Sequence, residues 1–182
     1  MADFSIGFAY VLTNEDYPKG DPRYGQVTTD NNGGLVRFGI NSDGEGKELL
    51  TTTYYTTMPV AEAYKIAGNL YKTTNWAIMH GDDLHSQRVA SKILDLSVNS
   101  GTVESAKISQ RAANVNVDGN IGPITIAAIN NLDENLMLQG LVTWWNWLIT
   151  RIIENNPLDE LDEKTWRARA NKLPNPVEGI TK

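Results

Sequence analysis

The sequence predicts an α+β fold that is predominantly α-helical, with a small β-hairpin near the N-terminus. Three observations carry this reading. Apolar residues recur every three or four positions over most of the 182 residues. A stretch at 26–57 breaks that rhythm and is rich in Gly, Thr, Asn and Tyr. With 41% hydrophobic and 21% charged residues, the chain suits one compact domain or two small lobes.

Residues 3–15 read as a helix whose apolar stripe is Phe4, Phe8, Val11 and Leu12. Tyr17-Pro18 and the turn-rich Lys19-Gly20-Asp21-Pro22 end it. Two β-prone pieces, Leu35 to Ile40 and Leu49 to Thr56, flank the loop Asn41 to Gly46 and together predict the hairpin. Pro59 suits a first helical position, and Val60, Ala63, Ile66, Ala67 and Leu70 follow at helical spacing. Further helices are expected at 84–99, 103–113, 122–131, 134–154 and 159–170, the first of them stopped by Asn99-Ser100-Gly101. Pro157 starts or precedes the last one, and the tail from Pro174 is expected to fray.

Composition narrows the chemistry. The formal net charge of −6 makes a nucleic-acid backbone a poor partner. The chain has no cysteine, which excludes disulfides, thiol catalysis and Cys-based zinc sites. His80 and His85 are the only histidines, so no metal centre and no cofactor are expected. No apolar run approaches the roughly 18–20 residues that span a bilayer, so no membrane insertion is expected. Asn114, Asn116 and Asp118-Gly119 imitate the start of a calcium loop, but its twelfth position is Thr125. This segment reads as a turn leading into a helix at Gly122-Pro123.

The residue with most chemical content is Glu15. It falls on the apolar face of the first helix, at i+4 from Val11 and i+3 from Leu12. A carboxylate there is costly unless it is partnered or kept protonated, and desolvation of that kind makes a general acid. The alternative is a helix-end Glu turned to solvent. Asp30, on the Gly-rich turn Asp30-Asn31-Asn32-Gly33-Gly34, is a second carboxylate, read either as a catalytic partner or as an Asx-turn residue. Gly33 and Gly34 permit positive φ and close backbone approach. Arg37 is a candidate ligand for substrate carboxylates or an exposed strand residue. Tyr54, Tyr55 and Trp76 are candidates to stack on pyranose rings, with core packing as the alternative. Trp144, Trp145 and Trp147 share a helix with many aliphatic residues and include packing residues, while Trp166 pins the last helix. Asp95 and Asn99, at i and i+4, read as bracing the two halves or as exposed.

These residues recur in an order that resembles glycoside hydrolase family 108, the lysozyme-like N-acetylmuramidases of phage endolysins and secretion-associated muramidases. Glu15-Asp16-Tyr17, then Asp30 to Ile40, is similar to the family pattern Glu-Gly-Gly-Tyr…Asp-x-Gly-Gly-x-Thr-x-Tyr-Gly-Ile. Leu94 to Gly101, Gln110-Arg111-Ala112 with Val117 to Thr125, and Asn156-Pro157 with Trp166 to Ala170 resemble its later motifs. The likeness spans about residues 8–171. Three departures stand out: the Glu-x-Tyr motif is one residue shorter, the segment between Tyr17 and Asp30 is longer, and Val36 occupies the family's Thr position.

The resemblance implies a lysozyme-like fold, with a catalytic part at 1–80 and a helical, peptidoglycan-binding-like part at 81–182 forming one compact unit. It implies hydrolysis of the β-1,4 bond between N-acetylmuramic acid and N-acetylglucosamine, with Glu15 as acid and Asp30 as second carboxylate. The implied substrate-binding residues are Gly33, Gly34, Arg37, Tyr54 and Trp76, and the implied partner of a monomeric enzyme is the peptidoglycan glycan strand. Synthesis in the cytoplasm without a signal peptide, then export by a holin or a secretion apparatus to the cell wall, is the expectation for location. A catalytically impaired peptidoglycan-binding protein and a lytic transglycosylase are the alternatives.

Overall fold

A computed structural model describes residues 1–30, 32–156 and 162–176. Among these residues there are seven α-helices and one three-stranded sheet of very short strands. Helix α1, Phe4–Glu15, begins where the Asp3 carboxylate accepts the Ser5 amide at 2.7 Å. Its buried residues Gly7, Phe8, Val11 and Leu12 reproduce the expected stripe. A Cβ at Gly7 would stand 3.0 Å from Trp76 and 3.3 Å from Leu94, so glycine lets α1 lie close on its neighbours.

Strands β1 (Thr28–Thr29), β2 (Leu35–Arg37) and β3 (Ile40–Asn41) pair antiparallel in that order. The register sets Thr28 against Val36, Val36 against Asn41 and Arg37 against Ile40. Phe38 and Gly39 alone close the β2–β3 hairpin, with φ of 52° and 74°. Two central residues at positive φ match the twist of a tight hairpin, but a phenylalanine there is strained. Burial of its ring against Tyr24 and Tyr64, and a 3.0 Å hydrogen bond from the Tyr71 hydroxyl to its carbonyl, hold it in place.

The expected second strand at 49–56 does not form. Lys47–Thr51 is a 3₁₀ turn, followed by further turns. Its threonines bond locally instead: the Thr51 hydroxyl donates to the Glu48 carbonyl at 2.9 Å and that of Thr52 to the Leu49 carbonyl at 2.7 Å. Local side-chain bonds of this kind compete with a strand ladder, and β-branched composition concealed the outcome. The hairpin partner is instead the short β3.

Helix α2 (Val60–Tyr71) starts directly after Pro59 and runs into a wider π turn at Lys72–Trp76. Helix α3 (Gln87–Ser100) starts three residues later than expected, because Ser86 caps it by accepting the Val89 amide at 3.1 Å. It ends at Gly101, whose φ of 80° a side chain would strain. Helices α4 (Thr102–Ala112), α5 (Pro123–Asn131) and α6 (Glu134–Asn155) lie within a residue or so of expectation. Helix α7 spans Glu163–Asn171; the expected start at 159 and Pro157 fall outside the described residues. So does the tail beyond 176, although the Pro174 carbonyl accepts from Arg88 at 2.9 Å.

The Asp118-Gly119 segment forms a turn built around the buried Gln110. The Gln110 side-chain carbonyl accepts the Asp118 and Gly119 amides at 3.1 and 3.0 Å, and its amide donates to the Asp118 carboxylate at 2.7 Å.

Two apolar clusters meet on α1. Val11 joins α3, α4 and α6 in the larger cluster, while Phe8 and Leu12 join the hairpin and α2 in the smaller. Helix α3 is buried from Val89 to Ser97, including Lys92 and Asp95. Lys92 lies over the Trp145 ring at 4.4 Å and donates to the carbonyls of Arg169 and Lys172 at 3.0 and 2.7 Å. A buried cation at the carbonyl end of α7 satisfies acceptors that the helix leaves open. Burial, opposed by the Asp95 charge, pulls the Lys92 ammonium down to about 8. Lys92→Met removes that cap and leaves Asp95 with less compensation, so it should destabilise the fold by about 3 kcal/mol or more. Urea unfolding measures the loss, and hydrogen exchange should rise in α7 before α3.

Candidate functional site

Glu15 ends α1 with its side chain only 17% exposed, pointing inward. Its carboxylate is paired with the Arg169 guanidinium from α7. Arg169 also grips Asp95 of α3 through Nε at 3.1 Å and Nη2 at 2.8 Å. Asp95 in turn accepts from the Asn14 amide at 3.0 Å and lies 3.8 Å from the Lys92 ammonium. Lys172 closes the rim by donating to the Asn14 side chain at 2.7 Å and the Thr13 hydroxyl at 2.8 Å. Three helices thus converge on one guanidinium. Of the Asp95 and Asn99 pair, Asp95 is the brace and Asn99 is exposed.

On its other side Glu15 meets the hairpin turn. A Cβ at Gly39 would stand 2.8 Å from the Glu15 carboxylate and 2.8 Å from the Tyr71 hydroxyl. Glycine at 39 therefore serves two needs, its φ and the space for the carboxylate. Desolvation by burial raises the Glu15 pKa above the usual carboxylate range, against the opposing pull of Arg169. The charges of Asp95 and Glu45 raise it further.

Asp30 lies apart from this cluster. Its carboxylate accepts the Asn32 and Gly34 amides, each at 2.8 Å, and the Asn41 side-chain amide. The Gly34 amide first, then Asn41, hold its pKa below the usual range. This is the Asx-turn alternative in full. Two residues of strand, about 7 Å, separate Gly39 beside Glu15 from Asn41 beside Asp30. Gly33 has φ 87° with open space around it, as expected of a turn glycine. Gly34 does not have positive φ; it is required because a Cβ there would stand 2.8 Å from the Asp43 carboxylate and 2.9 Å from Asn41.

Three expected sugar-binding residues are corrected by their burial. Arg37 is 5% exposed and donates to the carbonyls of Gly25, Tyr54 and Met58 at 2.7, 2.6 and 3.0 Å. It stitches two loops to β2 and has no carboxylate partner among the described residues. Tyr54 is fully buried with its hydroxyl donating to the Arg37 carbonyl at 3.1 Å. Trp76 is 1% exposed, and its indole N–H donates to Asp82 at 2.8 Å. Neither ring offers a face to a ligand. Tyr55 is likewise buried and donates to the Ile40 carbonyl at 3.3 Å. Tyr17, Tyr24 and Tyr64 line a cavity of about 190 Å³ with Leu12 and Thr13.

Sequence reasoning missed Arg169, Tyr71 and Gly39 as parts of this site. The signal for Arg169 was present in the closing Trp166 to Ala170 motif. Its charge, 154 residues from Glu15, could not be assigned a partner from spacing.

In fold the chain is similar to the solved structure of Brucella abortus SagA, with a TM-score of 0.67 over 92% of this chain and 88% of that one, at 22% identity. The architecture is the mostly helical α+β fold with a small β-hairpin expected from the sequence. No protein-family model matches the chain, and no curated protein matches it in sequence.

Two substitutions separate the roles of this pair. The raised Glu15 pKa means that this side chain contributes stability below the unfolded value of about 4.3 and loses it as pH rises through the folded value. Glu15→Gln should therefore keep or slightly raise Tm at neutral pH, since Arg169 retains Asp95. Arg169→Gln should lower Tm, because Asp95 is left buried with only Asn14 and Lys92, a loss of about 3–5 kcal/mol. Thermal unfolding of both variants at pH 7 decides this.

Proposed function

We propose that the chain hydrolyses the β-1,4 bond between N-acetylmuramic acid and N-acetylglucosamine in peptidoglycan, with Glu15 as general acid. The observation that carries the reading is the state of Glu15: a largely buried carboxylate at a helix end, raised in pKa and lodged against a strained hairpin turn. The ordered motifs resembling glycoside hydrolase family 108 support it, as does the fold shared with SagA.

The pairing with Arg169 fits the role. An acid locked to a lone cation would stay ionised, because protonation would strand the cation. Arg169 is already neutralised by Asp95, whose Oδ1 accepts from both Nε and Nη2, so Glu15 can take up a proton at little cost. The proton then passes to the glycosidic oxygen as the C1–O bond breaks. No step needs a metal or cofactor. Among the described residues no helix is long and apolar enough to cross a membrane. Action on the cell wall after holin- or apparatus-dependent export belongs to the same proposal, as does a monomeric state and binding of glycan strands by the helical half.

A second reading is a peptidoglycan-binding protein with impaired catalysis. Val36 at the position of the family's Thr and the closed Asx turn at Asp30 favour it. Digestion of purified sacculi distinguishes the readings. Wild type should release reducing ends, and Glu15→Gln should lose about 10²–10⁴ of that rate while remaining folded. Native-rate clearing by Glu15→Gln would refute the assignment. Pull-down without new ends would favour the binder, and 1,6-anhydro ends would indicate transglycosylation.

A further inference from the structure

Among the described residues, every arginine but one has a bonded partner. The others each pair with a carboxylate or, in the case of Arg37, donate to three backbone carbonyls. Arg111, in the last turn of α4, has neither a hydrogen bond nor an ion pair among these residues. Its Nη1 is buried with no acceptor. A guanidinium in that state has given up water without regaining a bond, in a chain whose net charge is −6.

What surrounds Arg111 instead is aromatic. Its Cζ lies 5.2 Å from the centre of the Trp147 ring and 5.6 Å from that of Trp144. The two rings stand at 74° with centres 5.7 Å apart, so they form a corner. Trp144 and Trp147 are three residues apart on α6 and share the face turned to Arg111, while Trp145 is buried in the core. Trp147 is 42% exposed, a large apolar ring left partly in water. Attraction to ring faces holds a cation in place but does not neutralise it. Nε and Nη2 are not closed off with Nη1 and make no bond, so an acceptor can still reach them. Arg111, Trp144 and Trp147 take no part in the Glu15 cluster.

We infer that Arg111, Trp144 and Trp147 form a binding site for a carboxylate carried by the stem peptides of peptidoglycan. The inference rests on the peptidoglycan reading above and names what the helical half recognises. A guanidinium edge with free N–H groups matches a carboxylate, and the arriving anion neutralises a charge that the chain itself leaves uncompensated. The hydroxyls and acetamides of the glycan are neutral, and the lactyl group of muramic acid is an amide wherever a stem is attached. The stems carry free carboxylates on short, partly apolar residues. The open face of Trp147 suits such a residue, since a flat, rigid ring gives contact area with little entropy to lose. The site thus reads the peptide, while Glu15 acts on the sugar chain. A lactyl carboxylate exposed by removal of a stem has the same chemistry, and the ligands below separate the two sources.

The test titrates three ligands at pH 7, read by calorimetry and tryptophan fluorescence. They are a disaccharide muropeptide with free stem carboxylates, which lacks the bond to be cleaved, the same muropeptide with those carboxylates amidated, and glycan strands stripped of their stems by an amidase. Wild type should bind the free-acid muropeptide about 10–100-fold more tightly than the amidated one. Arg111→Gln should erase that preference, Arg111→Lys should keep part of it, and Trp147→Leu should weaken binding and shrink the fluorescence change. Tm is read for each variant. A variant pair that lowers Tm yet keeps the wild-type preference for the free acid would make Arg111 a packing residue only and overturn the inference. Equal affinity of wild type for the free-acid and amidated ligands, or no binding of either, needs no variant to fold and would overturn it too. So would binding of stripped strands as tight as that of the free-acid muropeptide. A wild type that releases no reducing ends but shows the Arg111-dependent preference would remove the hydrolase reading and leave this inference standing.

Discussion

One guanidinium sets the geometry of this molecule. Arg169, from the last helix, bonds Glu15 at the end of the first and Asp95 in the middle of the third. Two carboxylates around one cation would leave a negative excess in a largely buried place. Lys92 beneath the last helix and Lys172 at the rim balance it. Removing the cation of such a network leaves buried carboxylates without compensation, whereas neutralising Glu15 leaves Arg169 paired with Asp95. The chain's two ends are therefore held together by electrostatics at the point where the proposed chemistry occurs.

The hairpin completes the enclosure from the other side. A phenylalanine at positive φ is an uncommon choice for the first residue of a two-residue turn. Its ring is enclosed by Tyr24 and Tyr64, and its carbonyl takes the Tyr71 hydroxyl. The strain holds Gly39 flush against Glu15 and excludes any side chain from that spot. Backbone strain maintained by surrounding packing is common where a reacting group must be positioned. The Tyr71 hydroxyl bonds the turn and, like the Glu15 carboxylate, crowds the position a side chain on Gly39 would take, so the smaller apolar cluster reaches the site through this residue.

Much of the helical framework was legible in the sequence because helix periodicity is local. The stripe of Phe8, Val11 and Leu12 foretold the inward direction of Glu15, and Gly101 foretold the end of α3. Turn and strand were harder to separate. Thr51 to Thr57 has strand-like composition, yet its hydroxyls bond to nearby carbonyls and the segment curls. The site was only half visible. Arg37, Tyr54 and Trp76 have the chemistry of sugar ligands, but residue type does not reveal burial, and all three proved to be internal supports. Arg169 was invisible as Glu15's partner because contacts across 154 residues are set by how α1, α3 and α7 pack.

The account depends on Glu15 holding its proton more tightly than a free carboxylic acid does. Carbon-13 NMR of the Glu15 side-chain carboxyl, assigned by its absence in a Glu15→Gln sample and followed against pH in the folded protein, measures this directly. The account predicts a titration midpoint above the ordinary glutamate value of about 4.3. A midpoint at or below that value would show that the pairing with Arg169 outweighs burial, leaving no proton donor at this site.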